Sequence, residues 1–252
     1  MTRFQEAPAH VACLQGMLAY YNARSNWLAR CFTIEYATWW RMVLPGVARL
    51  GLVVPLGGTT LFFRRSILEK LCGWDAHNVT EDADLGLRLA RYGYTTELLQ
   101  TATYEEANCR AWPWVRQRSR WLKGFLITWC VHMRAPGALL KDLGWWRFLG
   151  VQTMFFATFS QFLLAPLLWS FWLTLFGMPN PVALTFGTTV MWAVIVLFVL
   201  AEVVNICMSL AAVSGPRHRH LMGWVLTTPL YYPLGALSEL KGLHEYVDSP
   251  IY

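Results

Sequence analysis

From Phe148 to Pro216 the chain carries a single charged residue, Glu202, and this run limits its possible folds more than any other feature. A water-soluble domain needs polar groups over its surface, and no stretch of this length and composition can supply them. The whole sequence agrees, since 56% hydrophobic and 15% aromatic content exceeds ordinary soluble usage. Residues 1–147 hold 18 of the 21 Lys and Arg and 11 of the 15 Asp and Glu, so the chain reads as two unlike parts. Phe148 to Phe176 and Val182 to Val213 are each long enough to cross a hydrocarbon core, which takes roughly 20 residues. Gly177-Met178-Pro179-Asn180-Pro181 breaks the pattern between them and predicts a helical hairpin. Lys141 and Arg147 precede the hairpin and Arg217-His218-Arg219-His220 follow it. The positive-inside rule therefore places both ends, and the polar half, in the cytoplasm of a multi-pass plasma (inner) membrane protein. A third apolar segment, Leu221 to Leu237, contains Pro229 and Pro233 and fits a short span, a re-entrant piece or an interfacial segment alike.

Met1 to His10 has no apolar core of the kind a signal peptide needs. Six scattered cysteines (13, 31, 72, 109, 130, 207) form no C-x-x-C pair, which argues against a zinc site or a disulfide framework and predicts reduced, mostly buried thiols. Arg110 to Arg134 contains six Lys or Arg and no acid, a pattern that attracts phosphates of lipid head groups or of a nucleotide. No nucleic-acid motif accompanies it, so nucleic acid is not an expected partner.

The polar half alternates short strands and helices. Strands are predicted at Val11–Leu14, Leu52–Pro55, Thr60–Phe63 and Thr95–Leu99, and helices at Trp27–Met42, ending before Pro45, and at Ser66–Leu71. Thr80 reads as the N-cap of a helix Glu81–Tyr92 with Leu85, Leu89 and Tyr92 buried and Asp84 paired to Arg88 on the other face. This is an α/β pattern with fewer strands than a nucleotide-binding sheet needs. In a helix from Trp114 to about Met133, Gln117, Arg120, Trp121 and Gly124 share one face, with Arg116 and Lys123 beside it. An amide and a guanidinium can hold phosphate oxygens, and an indole can carry a sugar ring. An amphipathic helix lying on anionic lipid with Trp as anchor has the same spacing, and spacing alone leaves both readings open.

Pro55-Leu56-Gly57-Gly58-Thr59, Gly73-Trp74-Asp75, Thr80-Glu81-Asp82-Ala83-Asp84-Leu85-Gly86 and Gln117-Arg118-Ser119-Arg120-Trp121 occur in one order over residues 11–147. In that order and spacing the chain resembles the processive family 2 glycosyltransferases, which include the cellulose synthase and hyaluronan synthase catalytic subunits. The resemblance implies a GT-A-like α/β domain in which Asp82 is the catalytic base, supported by Thr80 and Glu81. It also implies that Gln117 and Arg120 hold the donor diphosphate, that Trp121 stacks the acceptor sugar, and that Gly58 and Thr59 line the acceptor side. Glu81 fits equally a favourable dipole partner at a helix start. The family holds Mg²⁺ or Mn²⁺ on the nucleotide with an upstream Asp-x-Asp that has no counterpart here. Asp82-Ala83-Asp84 is therefore not read as the metal motif, and the metal site is expected outside this chain.

The expected organisation is residues 1–110 as the C-terminal half of a cytoplasmic GT-A-like catalytic domain, 111–147 as an interfacial amphipathic helix region, and 148–252 as a transmembrane region. A fragment of this kind should be inactive alone, whether truncated, broken or completed by a separate chain. The expected activity is inverting transfer from a nucleotide-diphospho-sugar, UDP-glucose by family frequency, to a growing β-linked polysaccharide, with the bilayer and export or regulatory subunits as further partners. Two rivals are a transferase adding one sugar to a lipid phosphate, and a non-catalytic membrane subunit that binds or conducts glycan. A glycoside hydrolase fits less well, because adjacent Glu81 and Asp82 cannot flank a bond from opposite faces at separations of about 5 Å or more. Glu202 reads either as part of a glycan path or as a partner of Asn205 or a head group. His77 and His132 read as structural or interfacial rather than metal ligands, and Trp39-Trp40 and Trp145-Trp146 as interface anchors.

Overall fold

The run Val11–Tyr20 is apolar at nearly every position, as a strand buried on both faces must be. It forms β1, the central strand of a three-stranded sheet, in a computed structural model that describes residues 2–164 and 170–248. β1 pairs antiparallel with the short β2, Leu61–Phe63, setting Cys13 opposite Phe63. On its other side it runs parallel to β3, Thr95–Glu105, with Val11 opposite Thr95 and Tyr20 opposite Glu105. Both long strands reach further than their apolar centres predict. The expected strand at Leu52–Pro55 is absent from the sheet, and Val53, Val54 and Leu56 are buried without strand pairing. Helix α5, Glu81–Arg91, is the reason, because a Cβ on its Gly86 would lie 2.6 Å from the carbonyl oxygen of Val54. The segment is thus pressed against a helix instead of a strand edge.

Between β1 and β2 the chain forms α2, Trp27–Thr38, a π turn, Trp39–Val43, and α3, Leu44–Arg49. The predicted stop before Pro45 does not occur. The π turn shifts the hydrogen-bond register, with the Leu44 N–H reaching Trp39 O, so the missing donor of Pro45 is absorbed without ending the helix. Asn26 caps α2 by accepting from the Ala29 N–H at 2.9 Å. Trp40, expected at an interface, is buried with Leu18, Leu44, Val47 and Val54. After β2, α4 spans Arg65–Lys70. Leu85 and Leu89 of α5 join Ala12, Cys13, Ile67 and Leu71 in the core, as the period predicts. Tyr92 does not: it lies past the helix end and is 57% exposed. Only Cys13 and Cys31 of the six free thiols are buried, while Cys72 and Cys207 are exposed, so the expectation of mostly buried cysteines fails.

The second half is helical. α6, Ala111–His132, is followed by α7, Pro136–Val151, a π turn at Gln152–Phe156, and α8, Ala157–Leu163. Residues 165–169 of the first predicted span lie outside the described residues. The second predicted span is divided by Gly187, whose left-handed backbone (φ 84°) separates α9, Pro181–Phe186, from α10, Thr188–Val213. Among the described residues α10 alone is long and apolar enough to cross a membrane, and nearly all of its most apolar stretch is exposed. Its 26 residues extend about 39 Å. The third apolar segment is not one helix: a 3₁₀ stretch, Arg219–Leu230, precedes α11, Pro233–Asp248. The end of α10 and this stretch pack Ala212, Val213, Leu221 and Val225 on Ile34 and Ala37 of α2, so α2 joins the sheet to the apolar half.

Gly86→Ala places a methyl group against a backbone carbonyl that cannot turn aside. Loss of about 1–3 kcal/mol is expected, measured as a lower unfolding temperature of the purified protein.

Candidate active site

Asp82 lies in the first turn of α5, where the helix dipole favours an anion. Its Oδ1 accepts the Ala83 N–H at 2.7 Å, and the Gly58 N–H also bonds to the carboxylate. Oδ2 stands 3.3 Å from where a Cβ on Gly58 would be. Burial pushes this carboxyl up to about 6; Glu81 adds to the rise, and the backbone N–H groups of Ala83, Asp82 and Gly58 oppose it. Gly58 and Thr59 continue into an open cleft of about 550 Å³ lined also by Thr60, Leu61, Phe62, Trp74 and Glu81. Gly58, Thr59, Glu81 and Asp82 are therefore gathered at one place. A smaller cavity of about 60 Å³, near Leu52, Gly86 and Arg147, contains none of the predicted site residues.

Thr80 occupies the N-cap position without capping through its side chain. The Thr80 N–H donates to Asn78 Oδ1 at 3.1 Å, and Asn78 Nδ2 donates to Thr128 Oγ1 of α6 at 2.8 Å. Thr80 faces α6 instead: a Cβ on Gly124 would fall 2.4 Å from Thr80 Cγ2. Only glycine permits this approach, and it joins the two motifs. Trp121 and Gln117 stand on the same face as Gly124, about 4.5 and 10.5 Å nearer the helix N-terminus. Gln117 Oε1 accepts from Asn108 Nδ2 at 2.7 Å. Trp121 is half-buried, its ring centroid 6.2 Å from Tyr36 and 6.4 Å from Phe32. Arg120 is exposed. None of these three lines the cleft at Gly58, so the predicted site is divided between the cleft and the neighbouring helix.

Three positioning groups escaped the sequence reading. Gln15 of β1, wholly buried, donates from Nε2 to Gly16 O at 2.8 Å and Thr59 O at 3.0 Å and accepts the Gly57 N–H at 2.9 Å. Its one signal was an amide inside an apolar strand. Glu105 at the end of β3 accepts from the Thr59 hydroxyl at 2.8 Å. Arg118, the other arginine of the motif, pairs with Glu35 of α2, whose second oxygen accepts from the Tyr231 hydroxyl at 2.6 Å. Its guanidinium lies 5.0 Å from the Trp114 ring centroid and 5.5 Å from that of Trp121. Glu35 was legible as a lone acid in an aromatic-rich helix, but spacing could not say which arginine it meets.

Asp84 pairs with Arg88 at 2.7 Å as predicted, yet it is 4% exposed and not on an outer face. His132 Nε2 lies 2.9 Å from its other oxygen, and His132 Nδ1 lies 3.1 Å from Arg91, which binds Asp142 at 2.7 Å. Arg91 donating to Nδ1 assigns the His132 proton to Nε2, facing Asp84. Burial alone would raise Asp84, but His132 and then Arg88 outweigh it and hold the carboxyl low. Asp82-Ala83-Asp84 therefore does not fit a divalent cation, since Asp84 is committed elsewhere. No cluster of three or more metal-ligating side chains occurs among the described residues.

The model of glycosyl transferase family group 2 matches residues 2–206. A curated protein of Bacillus subtilis (strain 168) described as probable glycosyltransferase YdaM is 34% identical over 110 residues. That match takes in 43% of this chain and 26% of the relative, so the chain spans about a quarter of the length of the curated protein it matches.

Glu35→Gln leaves Arg118 largely buried without its counter-charge. We expect a loss of about 2 kcal/mol, below the usual range for a broken buried pair because Glu35 keeps 29% of its side chain exposed. Tyr231→Phe should cost about 1 kcal/mol, and comparative thermal unfolding measures both.

Proposed function

The chain belongs to glycosyl transferase family group 2, and on that premise we propose that it takes part in inverting transfer of a sugar from a nucleotide-diphospho-sugar to a growing β-linked polysaccharide. UDP-glucose is the proposed donor. The observation that carries this reading is the Asp82 carboxylate against Gly58, a residue that lines an open cleft, with a pKa in a range that leaves it ionised at neutral pH. A general base must be ionised and within hydrogen-bond reach of the hydroxyl it serves. As the acceptor oxygen bonds to the anomeric carbon, the bond from that carbon to the diphosphate oxygen breaks on the opposite face, and the hydroxyl proton passes to Asp82. The electron pair leaves with the nucleoside diphosphate, and Gln117 and Arg120 are proposed to offset its charge. Trp121, already packed on Tyr36 and Phe32, offers a rigid face for the acceptor sugar. Thr80 and Glu81 support the base, and Gly58 and Thr59 border the acceptor.

A divalent cation, Mg²⁺ or Mn²⁺, on the donor diphosphate belongs to this proposal. The described residues assemble no ligand set for it, so no step is assigned to it here. The reading also places the protein in the plasma membrane with its sheet domain cytoplasmic. The length, apolar character and exposure of α10 support that placement.

With Mg²⁺ present and nucleotide sugars supplied singly to this chain purified together with the donor-binding half expected outside it, release of nucleoside diphosphate should occur with one donor class. Asp82→Asn should lower kcat about 10²–10⁴-fold. No release from any donor by the wild type, or unchanged turnover in the variant, sinks this reading. Below about pH 6 the wild-type rate should fall tenfold per pH unit as Asp82 takes up a proton. Stability runs the other way. The folded pKa lies above the unfolded one, so the stability contributed by the protonated group is fully present below about pH 4 and is lost as the pH rises to about 6, and Asp82→Asn should raise the unfolding temperature at neutral pH.

A further inference from the structure

Five arginines from three separate segments converge where α10 ends. Arg24 precedes α2, Arg30 lies within it, Arg41 sits in the π turn, and Arg217 and Arg219 follow α10. Arg41 Nη1 stands 3.7 Å from where a Cβ on Gly215 would be, Arg30 Nη2 donates to Arg24 O at 3.4 Å, and two histidines of the turn after α10 feel these charges. Burial, then Arg41, Arg217 and His220, hold His218 down to about 4, while burial, Arg24 and Arg30 depress His220. His218 is 3% exposed, and its Nδ1 has no hydrogen-bond partner. None of the five arginines has a carboxylate within ion-pair distance among the described residues.

The contacts these side chains do make orient them without neutralising them. Arg41 Nη1 donates to Ala212 O at 3.3 Å, Arg30 lies 4.3 Å over the Trp224 ring, and Arg217 lies 3.8 Å over the Tyr104 ring and bonds its hydroxyl. The C-terminal end of α10 offers about half a negative charge against five positive ones. So many unpaired cations repel one another unless an anion joins them. A cluster at the foot of a long, exposed apolar helix, beside an indole, stands at the height of lipid phosphates in a bilayer.

We propose that Arg24, Arg30, Arg41, Arg217 and Arg219 form a binding site for the phosphate of an anionic lipid headgroup at the end of α10. It rests on the membrane placement proposed above and not on the transfer chemistry. None of the five arginines lines the cleft at Gly58. Through α2, which carries Glu35 and packs on Trp121, the bound lipid and the motif helix share one scaffold.

The test is native mass spectrometry of the full chain titrated with phosphatidylglycerol or phosphatidylcholine, comparing wild type with the double variant Arg24→Gln/Arg219→Gln. Both side chains are exposed, so the fold should tolerate the change. Arg65→Gln/Lys70→Gln, on α4, removes the same net charge elsewhere. Wild type and the α4 variant should bind phosphatidylglycerol saturably and at least tenfold more tightly than phosphatidylcholine, and the Arg24/Arg219 variant should lose that preference. Equal affinity in all three proteins overturns the site. Displacement of phosphatidylglycerol by millimolar inorganic phosphate overturns the lipid assignment, leaving a free-anion site. Alkaline carbonate extraction is run alongside: release from membranes defeats the membrane placement itself, whereas retention with no lipid preference defeats this inference alone.

Discussion

The arrangement depends on how closely α6 can be approached. Gly124 admits Thr80 to the helix backbone on one side. Gly242 of α11 does the same on another, where a Cβ would fall 2.9 Å from the Ser119 carbonyl oxygen. Close packing of this kind forbids even one added methyl group without movement. α6 is thereby clamped between the start of α5, which bears Asp82, and the last described helix. The same clamp sets how far Gln117 and Trp121 stand from the carboxylate.

Buried polar groups then fix orientation within that frame. Asp84, Arg88, His132, Arg91 and Asp142 form one chain from α5 to α7, and Glu35, Arg118 and Tyr231 form another from α2 through α6 to the end of the 3₁₀ stretch. Ion pairs of this kind add little net stability because desolvation offsets attraction, yet a displaced partner is costly, so they select one arrangement. Gln15 does the same without charge, satisfying Thr59 O and the Gly57 N–H of the loop that presents Gly58, and Gly16 O of its own strand. Asp82 is the exception: it is half-buried with no cation to offset the cost, and Glu81 raises its pKa further. A folded protein keeps a carboxylate in such a place at the expense of stability, as reactive groups commonly require.

Two kinds of surface meet in this chain. The sheet and α5 bury apolar residues inward, whereas α10 exposes its apolar side chains. The end of α10 is where these regimes join, through Ala212 and Val213 against α2, and it is also where unpaired arginines collect.

Periodicity made α5 and α6 legible, and β1 read as a strand from its apolar run, because the features that specify these elements lie within a few residues of one another. Composition likewise marked α10 as apolar throughout, and the Asp82 and Gln117–Trp121 elements were recognisable from residue order. What the sequence could not determine was which neighbour each side chain meets. Arg118 and Arg120 are two positions apart in one motif, but one is paired with Glu35 and the other is exposed. Thr80 looked like a cap and became a packing surface for Gly124; Leu52–Pro55 looked like a strand and lies beneath Gly86. Local propensity acts over one or two turns of chain. Burial and hydrogen-bond partners are set by segments up to about two hundred positions away, and only the tertiary structure decides those.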